Sequence, residues 1–478
     1  MTDISKKQYL LSSCRQTIAK MQEIKVGKMY LYIGEKLNIC ECKTKDGKSA
    51  IIIGNAFCAD RIRKSVKEDI TNVTEKDIGC ATRFWTGSWV LVTENTLFTD
   101  ACGLISAFYV SQNNVWFVSS SLALLSEILG KSIDVGVNSE GLTWQILPKT
   151  IVDGVRALVC TQKVILSEEK IRLEPRIWIS DERNLSTQEK CKRVSEMLVN
   201  AVSNIGEFSE KRIVVALTGG KDSRVTFSAL LKSGVDFSAY TAEHDNISSS
   251  DRVVPQKLCD MFNKDYIYIK KSKFDCIKYN DYMHFCGKNA NGADANFYAC
   301  GQFDGFKEDT VIIRSGLYEA GQTYSREIAG GEPKSFCDGI MAYNIELQRA
   351  GKQRDAFFEW MSYVDENPID YIDIRDRFYI EQRAGGWVSA IEQSLDINDF
   401  TSIQIANCEE ILSILLSCNN DERNNLSLSY ETINLLEPEV LKIAVNQRTI
   451  TDKLLRVKGV FKNPVSKVKR FINKCVRR

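Results

Sequence analysis

The stretch VVALTGGKDSRVTF, residues 214–227, constrains the fold of this chain more than any other. An apolar run meets two glycines and a set of charged and hydroxylated residues, and apolar positions then return at helical spacing. A strand that turns on glycines into a helix is the first half of a parallel α/β unit. In such a unit the loop faces a ligand, and the helix offers it free N–H groups and a positive dipole end. An anion is the natural occupant of that turn. From Arg212 onward the pattern continues as IVVALTGG, RVTFSALLKSG, FSAYTAEH, RVVPQKLCDMFN and DYIYIK, alternating strand and helix. That alternation predicts a parallel sheet covered by helices. Beyond about residue 335 the chain reads as mainly helical and ends in a basic tail.

The first 180 or so residues read differently. Short apolar segments at strand length, MYLYIG, AIIIGN, SWVLVTENTLFTD and AFYVSQNNVWFVSS, are separated by turn signals and predict a sheet-rich unit. A polar segment near SDERNLSTQEK leads into a helical stretch, CKRVSEMLVNAVSNI, which places the boundary near residue 185. A chain of 478 residues exceeds what one hydrophobic core usually organises, in keeping with two domains, 1–185 and 186–478. The 63 basic and 62 acidic side chains nearly cancel, which argues against a surface built throughout for nucleic acid. Sixteen cysteines are scattered without a CxxC pair, Cys40 and Cys42 standing too close for a zinc knuckle. They read as small core residues of a reduced, cytoplasmic protein. The N-terminal stretch shows no signal-peptide pattern, and no apolar run reaches the roughly 18 residues of a membrane span.

Three phosphate-binding patterns can be set against TGGKDSR. Gly-x-Gly-x-x-Gly fails for want of a third glycine, and the Walker loop fails because Asp222, where a Ser or Thr is required, follows Lys221. What remains is a hydroxyl, two glycines, a free position, an aspartate and a second hydroxyl. Thr218 and Ser223 can donate to phosphate oxygens, Gly219 and Gly220 let the backbone approach, and Asp222 can hold the magnesium of a nucleotide.

These residues resemble the SGGxDS pyrophosphate loop of N-type ATP pyrophosphatases, with Thr218 in place of the first serine. The order of parts is similar to the asparagine synthetase family, in which an amidotransferase-like sheet domain precedes the loop. Gly87, Asp100, Gly103 and Ser119 to Ser121 carry that likeness in the first half, and Trp178 closes a segment like the family's linker. The resemblance implies an α/β fold made of a degenerate Ntn-hydrolase-like amidotransferase domain and a Rossmann-like, adenine nucleotide α-hydrolase-like synthetase domain. It also implies ATP and magnesium as cofactors. Leu217, Thr241 and Gly316 would line the adenosine, largely through their backbone.

Two departures shape the functional expectation. Glutamine-using members carry a cysteine at the second position, where this chain has Thr2, and no match to their glutamine-holding residues is found; a domain that does not hydrolyse glutamine is expected. Second, where asparagine synthetases place SGEGADE, this chain has Ser315, Gly316 and then Glu319 alone, in VIIRSGLYEAGQTY. Glu319 can share a magnesium ion with Asp222, and the alternative is a solvated turn residue. Lys221, Arg224, Arg314 and the cluster Tyr379, Glu381 and Arg383 are candidate helpers. Lys221 reads more readily as solvated, and DRFYIEQR as a helix face of ion pairs. Lys453, with Arg456, stands near the family's pyrophosphate-touching lysine, one residue out of register. His244 follows the second strand, where it can lie near the nucleotide, and reads more readily as a surface-loop histidine.

The expected function is an ATP-dependent, AMP-forming amide ligase that joins a small-molecule carboxylate to ammonia or an amine. A silent nucleotide-binding scaffold and a tRNA-modifying enzyme are the rivals; the latter should show catalytic CxxC pairs or a basic RNA platform, and neither is seen. The tail TDKLLRVKGVFKNPVSKVKRFINKCVRR carries ten basic side chains against Asp452, and is a candidate for contact with an anionic inner membrane face or for a solvated terminus.

Overall fold

The computed structural model describes residues 3–133, 145–245, 247–287, 292–322 and 351–446, with the backbone alone at 292–293 and 351–354. Thr2, Lys453, Arg456 and the basic tail lie outside the described residues.

The first half is built from β1 (Tyr9–Ser12), β2 (Met21–Val26), β3 (Met29–Gly34), β4 (Ile39–Lys43), β5 (Ser49–Cys58), β6 (Trp85–Thr93), β7 (Thr96–Thr99), β8 (Phe108–Gln112), β9 (Val115–Ser119), β10 (Arg156–Ala157), β11 (Gln162–Leu166) and β12 (Ile171–Pro175). They form two antiparallel sheets, in the orders β10-β8-β9-β1-β3-β2 and β12-β11-β7-β6-β5-β4. Period-two alternation decides what each sheet buries. Tyr9, Leu11, Leu31 and Ile33 of the first sheet meet Ile51, Ile53, Val90 and Val92 of the second in one core. The intervening Leu10 and Tyr32 turn outward to a helix, Leu122–Leu129. The β8–β9 hairpin closes on Asn113 and Asn114, both at positive φ, as a two-residue turn matched to strand twist requires.

Between the halves runs a 23-residue helix, Thr187–Ser209, opened by a capping box in which Ser186 and Glu189 satisfy each other's backbone N–H groups. The second half then forms a five-stranded parallel sheet from β13 (Arg212–Ala216), β14 (Ser238–Ala242), β15 (Tyr266–Ile269), β16 (Thr310–Arg314) and β17 (Thr401–Gln404), in the order β15-β14-β13-β16-β17. Alternation again assigns the faces. Ile213, Val215, Val311 and Ile313 pack on the helices Thr187–Ser209, Lys221–Ser233 and Ser427–Leu436, while Val214 and Ile312 face Phe306, Leu395 and Phe400. The molecule is thus mixed α/β, with two antiparallel sheets and one parallel sheet.

The described residues past 335 are mainly helical, with β17 as the exception. Its sequence TSIQ is four residues long with one apolar side chain, too short for a periodic signal, and only its parallel pairing with β16 makes it a strand. Among the described residues no helix is long and apolar enough to cross a membrane.

Where the halves meet, a polar cavity of about 200 Å³ is lined by Lys7, Gln8, Lys211, Gln393 and Asp396, among others. The segment before β1 straps across it: Lys6 pairs with Asp399, Lys7 donates to the Phe400 carbonyl at 2.7 Å, and Gln8 Nε2 donates to Asp396 at 3.2 Å. Burial pushes Asp396 up to about 7, against the pull of Lys7. The folded state therefore keeps this proton to a higher pH than the unfolded chain, and stability is lost as pH rises from the ordinary carboxylate range through about 7. Asp396→Asn escapes that loss. Its thermal midpoint should equal that of the unaltered chain near pH 4 and exceed it near pH 8, as thermal melts across that range would show.

Candidate functional site

β13 is the central strand of the parallel sheet, and the chain leaves it toward β14 on one side and returns to β16 on the other. Ligands of open α/β sheets bind outside the carboxyl ends of the strands at such a reversal. Residues 217–220 turn there, between Ala216 and the helix that starts at Lys221. The loop closes on itself. Thr218 N–H donates to Ser223 Oγ at 3.1 Å, Gly220 N–H to Thr218 Oγ1 at 3.2 Å, and Gly219 N–H to Asp251 Oδ1 at 2.7 Å. Thr241 Oγ1 donates to the Leu217 carbonyl at 2.6 Å and ties the loop to β14.

The helix Lys221–Ser233 begins without a side-chain cap. Helices starting at Thr187, Ser249 and Cys276 carry side-chain caps from Ser186, Ser248 and Asp275, whereas here the N-cap is Gly220, which supplies none. Its first N–H groups receive no bond from an N-cap side chain, and the dipole favours an anion at such an end. Glycine is required at 219 for a steric reason: a Cβ there would stand 2.1 Å from Ser250 Oγ, on the helix that supplies Asp251.

Two carboxylates border this turn. Asp222, in the first turn of the helix, accepts from Gln322 Nε2 at 3.0 Å, and Lys221 Nζ lies 3.7 Å from the same oxygen. Glu319 sits on a 3-10 turn, Tyr318–Gly321, that follows β16 after Leu317, a buried residue held at φ +73°. Its Oε2 is 3.6 Å from Arg383 Nε. Burial raises Asp222 above the usual carboxylate range; Lys221 opposes this and the negative charge of Glu319 adds to it. Two like charges held together in a partly desolvated place are poised for a cation. Among the described residues no group of three or more His, Cys, Asp or Glu side chains could hold a metal, so magnesium here would rest on Asp222 and Glu319 and take its other oxygens from the ligand's phosphates, as is usual for this ion. The Ser315 hydroxyl, at the end of β16, is buried with no hydrogen-bond partner among the described residues, which leaves a donor for an anion. The residues present fit a magnesium nucleotide.

Beside the loop opens a cleft of about 300 Å³. Leu217, Thr218 and Thr241 line one wall; Tyr282, Asp294, Phe297 and Arg314 line the other. Burial lifts Asp294 to about 6, with Arg314 opposing. His244 is also on this wall, half-buried in the loop after β14, its ring 5.4 Å from Phe297. Gly316 lies outside the cleft wall, and its N–H is already taken by Gln404 Oε1 at 2.8 Å. Lys221 is partly buried beside Asp222, not solvated.

Arg224 is a second correction. It is fully buried behind the turn, donating to the carbonyls of Val440 at 3.3 Å, Ala444 at 2.9 Å, Gly219 at 3.3 Å and Ile443. It clamps the segment Pro438–Asn446 to the loop, where Asn446 N–H donates to the Gly219 carbonyl at 2.8 Å. A guanidinium that satisfies several backbone carbonyls stays buried at low cost, so it does not act on a phosphate. Of the DRFYIEQR cluster, Glu381 accepts from Arg377 Nε at 2.8 Å, Thr161 Oγ1 at 2.6 Å and Trp360 Nε1 at 2.6 Å and is structural, whereas Arg383 reaches Glu319. Asp251, Gln322, Asp294 and Tyr282 had no sequence signal, since none belongs to the glycine motif or shares a periodic pattern with it.

No protein-family model matches this chain, and no curated protein matches it. Solved structures with some likeness include an NMN synthetase from Francisella tularensis, at 19% identity over 30% of this chain and 59% of that one, with a TM-score of 0.21. A glutamine-dependent NAD+ synthetase from Acinetobacter baumannii in complex with ADP is 11% identical over 67% of this chain and 68% of that one, TM-score 0.22. A glutamine PRPP amidotransferase from B. subtilis complexed with ADP and GMP is 11% identical over 63% and 64%, TM-score 0.21. The chain thus spans less than two thirds of the length of the NMN synthetase, and at TM-scores this low the three likenesses establish neither a shared fold nor a shared activity.

Proposed function

We propose that this chain is an ATP-dependent, AMP-forming amide ligase that activates a carboxylate and passes the acyl group to ammonia or an amine without hydrolysing glutamine. The observation that carries the reading is the uncapped helix at Gly220, with Asp222 and Glu319 beside it, at the reversal point of a parallel sheet.

A carboxylate is a poor electrophile, because its charge is delocalised and oxide would have to leave. Attack of its oxygen on the α-phosphorus of ATP breaks the bond to pyrophosphate and gives an acyl-adenylate. Nitrogen then attacks the carbonyl carbon, AMP leaves, and the proton lost from nitrogen passes to solvent. The protein's work is placement and neutralisation of charge. The cleft beside Leu217 and Thr241 would seat the nucleoside, and the N–H groups opening the helix at Lys221 would receive the departing pyrophosphate. Lys221 and Arg383 offset the charge that develops there. Magnesium held by Asp222 and Glu319 would supply Lewis-acid neutralisation of the phosphates.

Pyrophosphate exchange into ATP, measured with a panel of carboxylic acids, tests the reading. At least one acid should support exchange, and adding free ammonia or an amine should convert it to net AMP release. Glutamine should yield no glutamate. ATP binding without exchange for any acid would replace this function with a nucleotide-binding scaffold.

A further inference from the structure

The segment Tyr379–Val388 is a ten-residue π-helix. Such wide turns are rare, and where they occur they often mark functional sites. One side of this helix is fastened to the antiparallel half. Leu147 N–H donates to Gln382 Oε1 at 2.8 Å, and Gln382 Nε2 returns a bond to the Leu147 carbonyl at 3.0 Å. Thr161 Oγ1 donates to Glu381 at 2.6 Å. At Gly385 the helix comes so close that an added Cβ would stand 3.3 Å from the Cys102 carbonyl oxygen, and the next residue beyond the helix, Ser389, donates to the Gly103 carbonyl at 2.7 Å. Every one of these partners belongs to residues 102–161.

The same helix presents Arg383 to the carboxylate pair. Its Nε is 3.6 Å from Glu319 Oε2, and its guanidinium lies over the Trp387 ring at 4.3 Å, which holds the plane in place. Tyr379, buried one turn earlier, has Glu319, Arg383 and Asp222 as its charged neighbours. A planar guanidinium suits a phosphate better than any other side chain, because its donors form a fixed fork.

We propose that the antiparallel half, which needs no glutaminase activity for this, serves as a scaffold whose hydrogen bonds to Gln382 and Glu381 set the register of the π-helix and so place Arg383 over the pyrophosphate site. Gln382 and Thr161 are then positioning residues for Arg383. The inference rests on the adenylation reading, since it takes pyrophosphate as the anion at the loop. It accounts for a close-packed junction, two-sided at Gln382, between a sheet unit without an expected reaction of its own and the turn that carries Arg383.

Calorimetric titration of the full chain with magnesium pyrophosphate tests the proposal without knowledge of the acid substrate. Arg383→Met should weaken binding by about 10-fold or more, as loss of a charge-assisted contact does, and Arg383→Lys should restore part of it. Gln382→Met should weaken binding several-fold, and the double variant should bind no worse than Arg383→Met alone, while its thermal midpoint still shows the separate cost of Gln382→Met. Should Gln382→Met fail to fold, Thr161→Ala serves in the same cycle. Unchanged affinity in the Gln382 and Thr161 variants, or effects that multiply with Arg383→Met, would overturn the scaffold role and leave the adenylation reading standing. No binding by the unaltered chain would overturn both.

Discussion

Asp222→Ala is expected to lower pyrophosphate exchange by about 10²- to 10³-fold or more while leaving the thermal midpoint at neutral pH unchanged or slightly higher. On the proposed reading the loss follows from its place in the first turn of the helix that would receive the anion, with Glu319 as the only other carboxylate assigned to the metal. The absence of a stability cost follows from its electrostatics. Burial and the negative charge of Glu319 raise Asp222 above the usual carboxylate range, Lys221 only partly opposing them, so the folded state holds the ionised form at a disadvantage. The sign is therefore opposite to that of a salt-bridged aspartate: stability falls as pH rises through the raised value, and removing the group relieves it. Exchange assays and thermal melts on the same preparation check both halves. A variant that melts well below the unaltered chain would show that Asp222 supports the fold, and unchanged exchange would remove it from the metal site.

Arg423→Met should have the largest effect on stability, about 3 to 5 kcal/mol, because it removes the cation from a buried ion pair together with its bonds to four backbone carbonyls. Arg423 is fully buried and pairs with Asp376, which is 1% exposed in its side chain, at 2.9 Å. It also donates to the carbonyls of Cys418 at 2.8 Å, Leu416 at 2.8 Å, Ala320 at 2.8 Å and Gln322 at 2.9 Å. The last two bonds hold the turn that carries Glu319 and the residue that donates to Asp222. Weakened magnesium-nucleotide binding should therefore accompany the loss of stability. Urea unfolding of Arg423→Met, and of the double variant in which Asp376→Leu also removes the buried carboxylate, separates the two contributions. The double variant should recover part of the loss, since two apolar residues avoid the desolvation of a buried charge. A single variant within about 1 kcal/mol of the unaltered chain would mean that the Arg423–Asp376 pair contributes little to stability.

What could be read from the chain was what neighbouring residues decide among themselves. The period-two faces of β13 and β16, the Asn113-Asn114 hairpin turn, the Ser186–Glu189 capping box and the glycine turn into the helix at Lys221 are each set within about ten residues, by sterics and short-range hydrogen bonds. The parallel sheet and the position of the glycine turn that opens its helix were legible for that reason. Tertiary structure decided everything that depends on a partner far along the chain. TSIQ became a strand because β16 lies beside it; Arg224 was taken up by carbonyls of the segment Val440–Ala444, more than 200 residues away; and Arg383, in a segment that reads as an ion-paired helix face, was aimed at Glu319 by a π-helix anchored in the other half. A charged side chain has no fixed place in the absence of such partners. Water satisfies it equally well in any local conformation, and only the low dielectric of a packed interior, with carbonyls and counter-charges brought together from distant segments, makes one orientation win.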